Sequence, residues 1–181
     1  MASASPRRLE LLGQIGIEPF VYLTDVNETV FKKEKPKEYA KRMAIAKAKA
    51  GLKSGHDIII GADTVVVLDS KILGKPIDEL DAINMLGRLS GRQHKVITAI
   101  AVILPTKDKT LVKEVETKVW FKKISKTEIY KYVATNEPMD KAGAYGIQGI
   151  GAFLVKKIEG SYSGVVGLPL FETLQLLTNS N

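Results

Sequence analysis

Residues 94–124 read HKVITAIAVILPTKDKTLVKEVETKVWFKKI. Two long strand-like runs, HKVITAIAVILP (94–105) and KTLVKEVETKVWFKKI (109–124), are joined only by the polar turn TKDK. A link that short cannot carry a parallel crossover, so the two runs pair side by side as a hairpin. The second alternates, with Val115, Thr117, Val119 and Phe121 on one face. Upstream, DIIIGADTVVVLD (57–69) is almost continuously apolar, as a strand buried on both faces must be, and is interrupted by Gly61-Ala62-Asp63. KILGK then folds back on it as a second hairpin.

Helices separate these strands. The spacing predicts them over 5–15, 36–53 (opened by Pro36 and ending near Gly55), 78–89, 126–135 and 168–178. Ser125 and Glu128 form a capping box for the fourth. PFVYLTDV (19–26) reads as a further strand, and the glycine-rich DKAGAYGIQGIG (140–151) leads into a last strand, AFLVKKIE. Helices and strands interleave while two long strands form a hairpin. That predicts an α/β fold on a mixed sheet, as one domain over 1–181, with two lobes around a cleft.

The totals restrict the chemistry. The 181 residues are 45% hydrophobic and contain no cysteine, which excludes disulfides, thiolate zinc sites and cysteine nucleophiles. Two histidines, His56 and His94, cannot build a histidine-rich metal site, leaving a hard cation on carboxylates as the favoured metal chemistry. No apolar run approaches a membrane span, and a cytoplasmic protein is expected. The net charge of +7 admits nucleic acid as a partner, but the lysines are mixed with glutamates, as in KKEKPKEYAKR. A solvated surface, or a small anionic substrate, accounts for the excess better than polymeric nucleic acid does.

Several side chains sit where a structural role alone explains them poorly. In SASPRRLELL (3–12), Ser5 and Pro6 suit a helix start, and Leu9 and Leu12 begin its apolar stripe. Arg7 and Arg8 then fall in the first turn, where each cation costs about 0.3–1 kcal/mol against the helix dipole. A polyphosphate bound there resolves the conflict, with Ser3 and Ser5 adding hydroxyl donors; the alternative is that both guanidiniums splay into water. Asp63 interrupts the most apolar run of the chain, as a general base or metal ligand, or as an Asx-turn ending a strand. Lys47 falls on the apolar face shared by Tyr39, Met43 and Ala50, so it either snorkels to the surface or points into a cleft toward an anion. Lys75, in the LGKP turn, can reach the same place, and Glu28 in DVNET is an acid in a loop. Gln148, between glycines in YGIQG, can read a base edge through paired donor and acceptor; the alternative is that the glycines serve loop flexibility with no ligand. Together these make a kit for polyphosphate hydrolysis.

The stretches SASPRRLELL, GADTVVVLD, LGKP, LSGRQHKVITAIAV and EPMDKAGAYGIQGIGAFLVKKIEGSYSGVVGLPL, in this order, resemble the motifs of Maf proteins, nucleoside triphosphate pyrophosphatases that clean the nucleotide pool. The resemblance implies a Maf/ITPase-like fold, an elongated mixed sheet flanked by helices, often a homodimer. It implies hydrolysis between the α- and β-phosphates with a divalent ion, normally Mg²⁺ with Mn²⁺ as the alternative. It assigns Asp63 as proton acceptor, Ser3 and Arg8 to phosphate, Glu28 with Asp63 to the metal, Lys47 and Lys75 to leaving-group charge, and Arg7, Thr64 and Gln148 to base selection. The YGIQG form is similar to the branch acting on dTTP and UTP, with modified pyrimidine nucleotides also in reach. A non-catalytic, nucleotide- or RNA-binding regulator of cell division (a septum formation inhibitor) is the competing reading. Maf proteins usually begin with a short apolar strand before the serine-arginine motif, whereas only Met1 and Ala2 precede Ser3 here.

Overall fold

The computed structural model describes residues 1–3 and 5–178. In chain order the elements are α1 (Pro6–Gln14), α2 (Pro36–Ala50), β1 (Ile59–Leu68), β2 (Lys71–Leu73), α3 (Glu79–Leu89), β3 (Gln93–Leu104), β4 (Lys109–Phe121), α4 (Lys126–Val133), β5 (Val155–Glu159), α5 (Tyr162–Val166) and α6 (Leu170–Thr178). The strands form one sheet ordered β2-β1-β3-β4-β5. The hairpin of β3 and β4 is its spine, in register from Gln93 with Trp120 to Leu104 with Lys109. All four strand pairings are antiparallel. The parallel part of the expected mixed sheet is a single bridge, Ala2 beside Gly61.

The predicted strand at 19–26 is corrected: the segment belongs to no strand. Its backbone bonds to Met1, whose ammonium donates to the Phe20 carbonyl (2.7 Å) and whose carbonyl accepts from Tyr22 N–H (3.0 Å). Alternating apolar residues become a strand only when a ladder partner and a core receive them. Here Phe20 and Leu23 remain 61% and 71% exposed. The last predicted strand starts later than expected, because residues Ile150–Leu154 turn as a 3₁₀ helix before β5. Ser5 precedes α1 in extended conformation without its side chain capping the helix. The Ser125–Glu128 capping box forms as read.

Three apolar cores line the sheet, and β1 explains how they are divided. Its odd positions Ile59, Val65 and Val67 face α2, packing with Tyr39, Ala40, Met43, Ala44 and Ala48. Its even positions serve two cores. Ile60 and Ala62 pack with Leu11 and Leu12 of α1 and Leu176 of α6, while Val66 and Leu68 pack with α3, α4 and Tyr145. The change of core falls between Ala62 and Val66, so Thr64 lies at the seam. No helix among the described residues is long and apolar enough to cross a membrane.

His94 is buried in the core beyond that seam, edge-on to Phe121 and Tyr145, with Nε2 2.8 Å from the Tyr145 hydroxyl. Burial pushes its pKa down from 6.5 to about 4. The unfolded chain therefore binds a proton that the folded chain refuses between those values. Stability is lost as pH falls through this window, by up to about 1.4 kcal/mol per pH unit from this residue. Urea unfolding between pH 7 and pH 4 should show that slope in the native protein and a shallower one in His94→Phe.

Candidate functional site

The sheet has a gap in one edge. Along the outer side of β1, Ala2 bridges Gly61 and β2 begins to pair at Val66. Between them no strand among the described residues lies beside the outer edge of Ala62–Val65, and a cleft of about 490 Å³ opens there. This is an ordinary size for a small-molecule site. The seam between the two cores meets the same gap. Ser3, Arg7, Arg8, Glu28, Lys47, Asp63, Thr64, Lys75 and Gln148 all line the cleft, so the structure brings together every site residue singled out in the sequence.

Asp63 points from β1 toward α2. Its Oδ1 lies 2.7 Å from Lys47 Nζ, and the same ammonium lies 2.7 Å from Glu28 Oε1. The lysine on the apolar face of α2 thus enters the cleft rather than snorkelling: its side chain is 14% exposed. Burial raises the Asp63 pKa above its ordinary value, and the attraction of Lys47, then Arg8, does not cancel that rise. A carboxylate so placed holds a proton more readily than an exposed one, which suits a group that must accept one.

Glu28 sits on irregular chain, and its placement depends on residues that sequence reading missed. The Tyr39 hydroxyl of α2 donates to the Glu28 carbonyl (3.0 Å), and Arg42 Nη2 donates to the Thr29 carbonyl (2.9 Å). Arg42 also grips Glu34 with two nitrogens at 2.6 and 2.7 Å and stacks on Phe31, 3.9 Å from the ring centre. Burial and the Asp63 and Glu28 charges push the Tyr39 hydroxyl up to about 12, so it remains a donor. A tyrosine and an arginine at (i, i+3) on a helix, after a loop that carries Glu28 and Glu34, are the sequence trace of this anchor.

The paired arginines of α1 have separate fates. Arg8 is buried, donating from Nε to the Gly167 carbonyl (2.9 Å), from Nη1 to Ser3 Oγ (3.0 Å) and from Nη2 to Thr64 Oγ1 (3.3 Å). Burial lowers its pKa, but a guanidinium remains charged in protein. Arg7 stays at the rim, 3.2 Å from Asp140 Oδ2. Neither cation splays into water. The cost of placing them in a helix's first turn is offset partly by protein oxygens, while both still face the cleft. Lys75 and Gln148 line the same cleft from the turn after β2 and from the 146–151 loop.

Among the described residues no three or more histidines, cysteines or carboxylates cluster in a metal-binding arrangement. Two carboxylate oxygens do converge on one cation, the Lys47 ammonium. One or two carboxylates completed by phosphate oxygens is how Mg²⁺ is usually held, so Glu28 and Asp63 fit a hard divalent ion.

A family model described as "Maf-like protein" matches residues 1–180. The chain is 50% identical to the dTTP/UTP pyrophosphatase of Vibrio vulnificus (strain YJ016) over 179 residues, covering 98% of this chain and 95% of that protein. Over 179 residues it is 49% identical to the dTTP/UTP pyrophosphatase of Symbiobacterium thermophilum, covering 98% of this chain and 91% of that protein. Over 178 residues it is 50% identical to the protein of the same name from Geotalea uraniireducens, covering 98% and 92%.

Proposed function

Because the chain belongs to the Maf family, we propose that it hydrolyses dTTP and UTP to the nucleoside monophosphate and pyrophosphate. The observation that carries the reading is the buried Asp63 carboxylate with raised pKa, held beside Lys47 in a cleft that Arg8 also lines. Water attacks the α-phosphorus, its proton passes to Asp63 Oδ, and the bond from the α-phosphorus to the bridging oxygen breaks. The electron pair leaves with pyrophosphate. Lys47 and Lys75 offset the charge that grows on that leaving group, and Ser3 and Arg8 hold the phosphate chain. Glu28 and Asp63 would hold a divalent ion, Mg²⁺ or Mn²⁺, which when bound supplies charge neutralisation on the phosphate oxygens.

Arg7, Thr64 and Gln148 are the base-selecting set, with Gln148 offering a donor and an acceptor to a pyrimidine edge. Modified pyrimidine nucleotides fall in the same chemical class. By family resemblance the working unit is a homodimer in the cytoplasm, which light scattering of the purified protein checks for the dimer. The test of the activity is a panel of nucleoside triphosphates with Mg²⁺, read by pyrophosphate yield. The expected result is release from dTTP and UTP well above CTP and GTP. No turnover, with salt-dependent retention on RNA, would instead identify the regulator.

A further inference from the structure

Gln148 lies on chain without a strand or a long helix to fix it, yet base selection needs a fixed amide. The hydrogen bonds that close this loop converge on one carboxylate outside it. Ile150 N–H donates to Glu137 Oε2 (2.9 Å) and Gly151 N–H to Glu137 Oε1 (2.8 Å). The Tyr132 hydroxyl donates to the same Oε1 (2.8 Å) and accepts from Gly146 N–H (3.2 Å). Glu137 therefore holds the loop behind Gln148 directly and the loop ahead of it through Tyr132. The fit is close: a Cβ on Gly149, whose φ is +74°, would stand 2.8 Å from Glu137 Oε2, and one on Gly151 would collide with the Tyr132 hydroxyl and the Gly146 carbonyl. Burial favours the protonated acid, but the two N–H donors, the Tyr132 hydroxyl and the Lys141 charge outweigh it, so Glu137 titrates below its ordinary value.

We infer that Glu137 is a positioning residue for nucleotide selectivity, clamping both ends of the 146–151 loop so that Gln148 meets the base in one orientation. The same 3₁₀ turn, Glu137–Asp140, ends in the carboxylate that pairs with Arg7, so one short element sets two members of the base-selecting set. This rests on the reading of Gln148 as a base contact.

The experiment measures kcat/KM on dTTP and CTP for Glu137→Gln, Tyr132→Phe and Gln148→Ala, with hydrogen exchange at the Ile150 and Gly151 amides. Glu137→Gln keeps the side chain's size but replaces one accepting oxygen with a donor, so Ile150 or Gly151 loses its acceptor. The dTTP preference over CTP should fall roughly five- to tenfold, through KM more than kcat, with faster exchange at those amides. Should Glu137→Gln not fold, Tyr132→Phe reads the other end of the clamp and should move the ratio in the same direction. If Gln148→Ala lowers the preference and the clamp variants do not, the positioning role is wrong and the Gln148 reading stands. If Gln148→Ala leaves the preference unchanged, the Gln148 reading fails and the clamp falls with it.

Discussion

Asp63→Asn is expected to lower the rate of pyrophosphate release from dTTP by about 10²–10⁴-fold while leaving the melting temperature unchanged or higher. The rate loss follows from removing the proton acceptor while retaining its shape. The stability result follows from the direction of the pKa shift. Asp63 titrates higher in the folded chain than in the unfolded one, chiefly because it is buried. Its contribution is therefore most favourable at low pH and is lost as pH rises from the unfolded value through the folded one. At neutral pH the ionised carboxylate is a cost that the amide does not carry. Lys47 loses one partner in the variant but keeps Glu28 at 2.7 Å. Near-normal turnover in the variant would remove Asp63 from the mechanism.

The parts of this molecule that were legible in the sequence are those where local pattern and long-range environment agree. β1, β3 and β4 are written as apolar or alternating runs, and the hairpin follows from the shortness of its turn. Lys47 could be found because a lysine on an apolar helical face must either escape to water or meet an anion, and here it meets two. Residues 19–26 differ from the expectation because their alternation is real but no described strand pairs with them, and pairing is not a local property. The open edge at Ala62–Val65 was invisible for the same reason, since it is defined by where Ala2 and β2 begin and stop pairing with β1. Tyr39, Arg42 and Glu137 look like ordinary helix and turn residues until their partners are known. Spacing alone left the roles of Ser3, Glu28 and Gln148 open, and the family motifs drew attention to them before the structure placed all three at the cleft.

Gly61→Ala, a change that adds one methyl group outside the cleft's chemistry, should damage both fold and activity. Gly61 lies on the α2 face of β1, two residues before Asp63. A Cβ there would run into the Ala44 carbonyl oxygen and the Ala48 amide nitrogen and stand 2.9 Å from Ala48 Cα. These are backbone atoms of the helix turn that also carries Lys47, so no side chain can rotate away and the helix must move. Ala40, Ala44 and Ala48 are fully buried in that interface, which therefore depends on close approach rather than on bulk. The expected loss is about 3 kcal/mol, roughly 6–12 °C in melting temperature for a chain of this size. Moving α2 off the sheet also lengthens the 2.7 Å contact of Lys47 with Asp63, and a misplacement near 1 Å costs on the order of 10²-fold in rate. Gly87→Ala is the matched control. It lies inside α3, where an added Cβ meets nothing within 4 Å. There the same substitution should stabilise by about 0.4–1 kcal/mol through reduced freedom of the unfolded chain. Opposite signs from one chemical change would show that helix–strand distance at Gly61 is what joins the carboxylate to its lysine; equal, small effects at both positions would show that it is not.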